Sequence, residues 1–260
     1  MSRLGPMFED LKGKRAALIA YETGFFPDLK TSESVGLAML EAGADVLEIG
    51  IPFSDPVMDG PVIQASSHAA LEAGATPAGV LGMVSRLRRR TDKPLLAMTY
   101  YNLVYRYGLE RFAADATAAG LDAVVVPDLP AEEMDPLREA CIPAGLDTVA
   151  FVSPTTEPSR LEEASAAASG FLYCVALLGP TGERDSVSNE LPGFLERVRE
   201  HSDLPLAVGL GISSARQCAE VGRLADGVIV GSALVRMLAE GRDPASLVTE
   251  MASALSDSSS

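Results

Sequence analysis

Two acidic residues eleven positions apart are the first candidates for chemistry in this chain. Glu48 falls inside the run Asp45-Val46-Leu47-Glu48-Ile49-Gly50-Ile51, and Asp59 follows in Pro52-Phe53-Ser54-Asp55-Pro56-Val57-Met58-Asp59-Gly60-Pro61. An ionised carboxylate among Val, Leu and Ile is costly unless it is paired, hydrogen-bonded or protonated. A buried ion pair would need a basic partner, and none of the apolar runs expected to form strands supplies one internally. At the end of a strand such a residue points to acid–base catalysis. For Asp59 a turn role weighs as much as a chemical one, and for Asp55, just before Pro56, an Asx-type turn is preferred.

Hydroxyls and backbone amides complete the set. Tyr21, Tyr100 and Tyr173 each fall near the end of an apolar run. Singly, each reads as packing, but together they suggest a flat apolar pocket with hydroxyls available. Two glycine turns, Val208-Gly209-Leu210-Gly211-Ile212-Ser213-Ser214 and Val230-Gly231-Ser232-Ala233, put amides and a serine at helix starts, where an anion is favoured. Either serine alone would read as a helix cap. Both, after adjacent strands, suggest a phosphate site. A third turn, Gly179-Pro180-Thr181-Gly182, follows the sixth apolar run and could close over the same ligand as a lid. The histidines, His68 and His201, both fall in helical segments, so histidine catalysis and histidine metal sites are not expected. Carboxylates and hydroxyls must then carry the chemistry, with no cofactor fingerprint in sight.

These residues need a scaffold that brings distant segments to one place. Apolar runs at Ala16–Tyr21, Asp45–Gly50, Pro94–Tyr100, Asp122–Val126, Asp147–Val152, Gly170–Ala176, Pro205–Gly209 and Gly227–Val230 predict strands. Helical segments separate them: Ser32–Ala42, Pro61–Arg90 with a break near Gly74, Leu109–Ala119, Ala131–Ala144, Pro158–Ala168, Leu191–His201 and Ser214–Arg223. A terminal pair from Ser232 to Leu255 follows. The phrases Ala42-Gly43-Ala44-Asp45, Ala119-Gly120-Leu121-Asp122 and Ala144-Gly145-Leu146-Asp147 end helices on glycine and return the chain to the sheet. Eight such units predict a single-domain (β/α)8 TIM barrel over residues 1–255, with 256–260 as a frayed tail. A doubly wound open sheet is the rival, but the Gly-x-Gly-x-x-Gly turn after the first strand is absent. In a barrel the chemistry lies at the carboxyl ends of the strands.

Composition narrows the partners. The 260 residues carry 21 Lys plus Arg against 36 Asp plus Glu, a net charge of −15. That argues against nucleic acid and anionic membranes, while leaving room for a local phosphate pocket. Cys141, Cys174 and Cys218 fit neither a disulfide framework nor a zinc site and suggest a reducing compartment. With no apolar leader or spanning run in the sequence, a soluble cytoplasmic protein is expected.

The run Leu47-Glu48-Ile49-Gly50-Ile51-Pro52-Phe53-Ser54-Asp55-Pro56, with Asp59-Gly60-Pro61 and Gln64, closely resembles the signature of the tryptophan synthase alpha-subunit family. The similarity continues in order through Tyr100-Tyr101-Asn102, Val126-Pro127-Asp128-Leu129-Pro130, Tyr173, Thr181-Gly182, Gly209 to Ser213 and Gly231-Ser232. The resemblance implies cofactor-free retro-aldol cleavage of indole-3-glycerol phosphate to indole and glyceraldehyde 3-phosphate. It implies Glu48 as the general acid/base at indole C3 and Asp59 as the partner of the indole N–H. It implies Tyr173 as a contact to a substrate hydroxyl, Thr181 as a lid residue orienting Asp59, and Gly211, Gly231 and Ser232 as phosphate contacts. A pyridoxal-phosphate-containing beta subunit in an alpha2beta2 assembly is the implied partner.

Two loops depart from the family pattern. Glu22-Thr23-Gly24-Phe25-Phe26-Pro27 brings a charge and a second phenylalanine, and Leu177–Asp185 adds Pro180 before the lid threonine. These departures leave two other readings open: a free-standing indole-releasing lyase, and a weakly catalytic homologue that activates a partner.

Overall fold

A computed structural model describes residues 2–175, 189–209 and 211–257. Eight parallel strands close into a barrel in sequence order. They are β1 (Ala17–Thr23), β2 (Val46–Gly50), β3 (Leu95–Met98), β4 (Ala123–Val125), β5 (Asp147–Val152), β6 (Leu172–Val175), β7 (Leu206–Gly209) and β8 (Gly227–Val230). Among the described residues the helices are α1 (Leu4–Leu11), α2 (Leu29–Glu41), α3 (Pro61–Glu72), α4 (Pro77–Arg88), α5 (Tyr101–Tyr107), α6 (Leu109–Ala119), α7 (Asp135–Ala144), α8 (Pro158–Ala167), α9 (Leu191–Arg199), α10 (Ala215–Gly222), α11 (Ser232–Ala239) and α12 (Pro244–Asp257). None of the described helices is long and apolar enough to cross a membrane.

Every expected strand forms, within two residues at most ends. The break near Gly74 separates α3 from α4, and that glycine has φ +89, which L side chains avoid. Three differences bear on the site. First, β1 runs on through Glu22 and Thr23, which pair with Ile49 and Gly50 of β2, so the departure at Glu22 belongs to the sheet rather than to a loop. Second, α1 and α5 lie outside the expected helical segments. Third, α12 includes Ser256 and Asp257, where Ser256 Oγ donates to Ala252 O, so these two residues are helical rather than tail.

The period-2 alternation of the strands sorts the sheet into two cores. One set of side chains faces the surrounding helices and forms the larger cluster, with Leu18, Leu47, Leu95 and Val124 among its members. The other set fills the barrel: Ala17, Ile19, Val46, Leu96, Ala123, Val125, Val149, Phe171, Ala207 and Ile229. Leu4 and Phe8 of α1 join this inner set, and Phe8 lies 6.0 Å from Phe171 between ring centroids. α1 therefore plugs the amino-terminal end of the barrel. Glu48 stands two residues beyond Val46 on β2, on the same inward parity.

Aspartates lock that amino-terminal end. Asp45 accepts from Leu18 N at 2.8 Å, Asp122 from Leu95 N at 2.9 Å, and Asp226 from Leu206 N at 2.8 Å, each fastening a neighbouring strand. These are the aspartates that follow the helix-ending glycines at Gly43 and Gly120, and one more beyond them. Asp122 is the most enclosed, 1% exposed, and also pairs with Arg88 at 2.8 Å and Arg3 at 3.0 Å. Removing one partner of a buried pair leaves an uncompensated charge, at a cost of about 3–5 kcal/mol. Asp122→Ala is therefore expected to lower the urea midpoint by a corresponding amount with the m-value intact, and kcat of the folded fraction should hold, because the residue lies at the opposite end of the barrel. A midpoint unchanged in the alanine variant would show the latch to be idle.

Candidate active site

The carboxyl ends of the strands open onto a cavity of about 860 Å³. Its inner wall is set by sheet parity: Tyr21 of β1, Glu48 of β2, Met98 of β3, Phe151 of β5, Tyr173 of β6 and Ile229 of β8 all line it. Tyr21 and Glu48 are lateral neighbours in the β1–β2 register. Phe151 and Tyr173 stack at 4.6 Å between centroids, giving one side a flat aromatic wall. Tyr21 and Tyr173 both lie on this cavity wall.

Two glycines make that wall possible. A Cβ on Gly50 would lie 2.1 Å from Tyr21 Oη, and one on Gly209 would lie 2.5 Å from Tyr173 Oη. Both sites fall well inside any tolerated contact, so only glycine lets each tyrosine lie over the end of the adjoining strand. Tyr21 is further tied to Thr23, whose hydroxyl meets Ser66 of α3 at 2.7 Å.

Glu48 is 1% exposed, and neither of its carboxyl oxygens has a hydrogen-bond partner among the described residues. Burial, with a smaller contribution from the charge of Asp59, pushes its pKa up to about 8. At neutral pH the group is therefore mainly a neutral acid facing the cavity, able to give a proton and then accept one. Asp59 is raised to about 6, chiefly by burial, against a hydrogen bond from Tyr100 that lowers it. Near pH 7 one carboxyl is protonated and the other mainly ionised. That is a division into acid and anion made by environment alone.

Asp59 is held from several sides. Its loop closes with Asp59 N donating to Pro56 O, and Gln64 of α3 donates to Asp59 O at 2.8 Å. Tyr100 Oη donates to Asp59 Oδ2 at 3.0 Å while accepting from Met58 N at 3.1 Å. Tyr100 is only 2% exposed, stacks near Phe53, and stands behind Asp59 rather than on the cavity wall. In this arrangement Tyr100 supports Asp59 through its hydroxyl. Asp55 differs from expectation: its carboxylate accepts from Ser54 Oγ, and it is its backbone carbonyl that accepts from Val57 N.

After β7 and β8, Gly211, Ile212, Ser213, Gly231, Ser232 and Ala233 also line the cavity. The capping alternative fails for both serines. Ser214, not Ser213, caps α10 by accepting from Gln217 N, while Ser213 donates to Gln217 Oε1. α11 begins at Ser232 with no side-chain cap. Its first N–H groups have no intrahelical acceptor and the positive end of its dipole meets the cavity, an arrangement suited to an anion. The lid residues Thr181 and Gly182 lie outside the described residues.

Further residues line the cavity that sequence reasoning does not single out: Phe151, Ser153, Thr156 and Arg236. Phe151 has a visible signal, its inward parity on β5. Other buried ionisable groups stand apart from the cavity. Glu22, on the outward parity of β1, is enclosed under α2, where Ser32 Oγ donates to it at 3.4 Å. A Cβ on Gly36 would lie 2.6 Å from Glu22 Oε1, so α2 has a glycine where this carboxyl needs room. Burial raises its pKa well above the ordinary range. Cys141, Cys174 and Cys218 are free and buried, and burial pushes each thiol up to about 12, which leaves them unreactive.

The chain is similar to known proteins over nearly its whole length. The family model described as "Tryptophan synthase alpha chain" matches residues 7–258. A relative of that name from Citrifermentans bemidjiense is 47% identical over 237 residues, covering 91% of this chain and 89% of its own. Another from Mycobacterium marinum is 43% identical over 250 residues, covering 96% and 93%. Among solved structures, a Mycobacterium tuberculosis tryptophan synthase chain superposes with a TM-score of 0.90 at 39% identity, covering 98% of each chain. The tryptophan synthase alpha chain of Legionella pneumophila superposes with a TM-score of 0.90 at 34% identity, covering 99% of this chain and 98% of that one.

Proposed function

The chain belongs to the tryptophan synthase alpha chain family, the lyase that cleaves indole-3-glycerol phosphate, and on that premise we propose how its own residues divide the reaction. The observation that carries the proposal is Glu48: an enclosed carboxyl, neutral at pH 7, with both oxygens unengaged among the described residues and turned to the cavity. Glu48 delivers its proton to C3 of the indole ring. The ring becomes a cationic indolenine tautomer, and the ionised Asp59 accepts its N–H and balances the charge. The Glu48 carboxylate then takes the proton of the side-chain hydroxyl next to the ring. The carbon–carbon bond breaks, its electrons return to the ring to give indole, and the hydroxyl carbon becomes the aldehyde of glyceraldehyde 3-phosphate. Glu48 ends protonated, as it began.

The remaining residues position. Tyr173 meets a hydroxyl of the glycerol chain, and Tyr21 closes the wall beside Glu48. Gly211, Gly231 and Ser232 hold the phosphate at the open start of α11, and that anchor helps to position the ring against Glu48. For Thr181 and Gly182 we propose a substrate-contact role. Tyr100 keeps Asp59 aimed and its pKa from rising further.

A pyridoxal-phosphate-containing beta subunit, in an alpha2beta2 assembly, is the proposed recipient of the indole. Val57 and Met58, in the loop that carries Asp59, and Tyr105 of α5 are large apolar side chains left exposed. A partner seated on that loop would act directly on the placement of Asp59. Indole release measured with and without such a subunit tests both parts. Slow release alone and stimulation of at least about tenfold in the mixture, roughly 1.4 kcal/mol of barrier, are expected. Equal rates would remove the partner, and no release under either condition would remove the reaction.

A further inference from the structure

We propose that Arg236 is the cationic contact for the substrate's phosphate and makes this site selective for the dianion; the inference rests on reading the cavity as a phosphate-ester site. Arg236 is the one cationic side chain among the described residues that line the cavity, whose other charged members are Glu48 and Asp59. It lies four residues after Ser232 on α11, on the same face. Helical Cα–Cβ bonds lean toward the amino terminus, so a long side chain there lies back over the first turn, where the unshared N–H groups are.

Among the described residues Arg236 has no competing engagement. It forms no ion pair among the described residues, and Glu240, the acid one turn further on, is engaged by Arg242. The same arginine also borders a shallow neighbouring groove with Phe26, Pro61, Val62 and Ala65. The residue therefore borders both the cavity and the groove beside it. Amides and a helix dipole hold phosphate in place but act only at short range, whereas the chain as a whole carries −15 and repels anions. A guanidinium bordering the cavity offsets that repulsion locally and can meet two phosphate oxygens at once. The competing role is that of a cation suited to the last turn of an eight-residue helix, stabilising α11 without touching ligand.

Calorimetric titration with inorganic phosphate and with glycerol 3-phosphate, alongside indole-release kinetics, separates the two. For Arg236→Gln the expected result is phosphate binding weakened about tenfold, the range of a partly exposed charge-assisted hydrogen bond. KM should rise in parallel with little change in kcat, and the fall in affinity with added salt should flatten; Arg236→Lys should lie between. Equal affinity and equal salt dependence in wild type and Arg236→Gln would overturn the inference. So would a lower Tm with affinity unchanged, which is the helix-stabilising outcome. Normal indole release with Arg236-independent phosphate binding removes this inference alone. Arg236-dependent phosphate binding without indole release keeps the phosphate contact and removes the lyase reading instead.

Discussion

Exchanging Glu48 for glutamine is expected to lower indole release by about 10²–10⁴-fold, the usual contribution of a placed acid–base group, with indole-3-glycerol phosphate still bound. Glutamine keeps the shape and removes the proton. Because phosphate and ring contacts lie elsewhere on the wall, substrate binding should change little while kcat falls. Turnover close to that of wild type would reject Glu48 as the proton carrier.

The same variant has a second readout, in stability. Glu48 has a native pKa of about 8 against an ordinary value of 4.5, so the folded chain holds this proton over a range where the unfolded chain has lost it. The linked stabilisation is complete below about 4.5 and is lost as pH rises toward about 8. Glutamine has no proton to lose. Glu48→Gln should thus gain in Tm relative to wild type as pH rises from the ordinary carboxyl range to about 8, with the difference level beyond that. A Tm difference that stays flat with pH would mean that the carboxyl is not enclosed as an acid. Lower activity with higher stability in one substitution is what a group maintained in a costly place for its chemistry should give.

Much of this site is legible in the sequence because its cost is local. A glutamate two residues from Val46 in a run of strand formers announces itself, and period-2 parity carries it to the same wall as Tyr21 and Tyr173. The barrel is legible for a similar reason: each βα unit repeats an apolar run, an Ala-rich helix and a glycine stop. What is not legible depends on contacts between distant segments. Tyr100 reads as one more rim aromatic until its hydroxyl is seen on Asp59, 41 residues away. α1 reads as an ordinary amphipathic leader, and only the open lower end of the barrel gives Leu4 and Phe8 a place to go. Gly50 and Gly209 read as strand-ending turns, while their need arises from the tyrosines of adjoining strands. Arg236 is harder still, since an exposed arginine on a short helix has the same local pattern whether it meets solvent or a ligand.

Replacing Asp59 by asparagine is expected to cut kcat/KM by about 10²-fold, roughly the loss of one well-placed electrostatic contact to a developing charge, and to reshape the pH profile in a way no structural role would. In the wild type, catalysis needs Asp59 ionised and Glu48 protonated, so kcat/KM should follow a bell with limbs near 6 and 8. In Asp59→Asn the acid limb disappears, because the amide that replaces the carboxyl does not titrate. The alkaline limb should also move to lower pH, because the charge of Asp59 is part of what raises Glu48, though burial, the larger cause, keeps it above the ordinary carboxyl range. Tyr100→Phe provides the opposite displacement. Its lost hydrogen bond frees Asp59 to rise, so the acid limb should shift upward while the alkaline limb stays. An alkaline limb that does not move in Asp59→Asn would separate the two carboxylates and leave Asp59 a loop residue. Movement of each limb in its expected direction would tie both carboxyls to the same pH-dependent step, with the charge of one setting the pKa of the other.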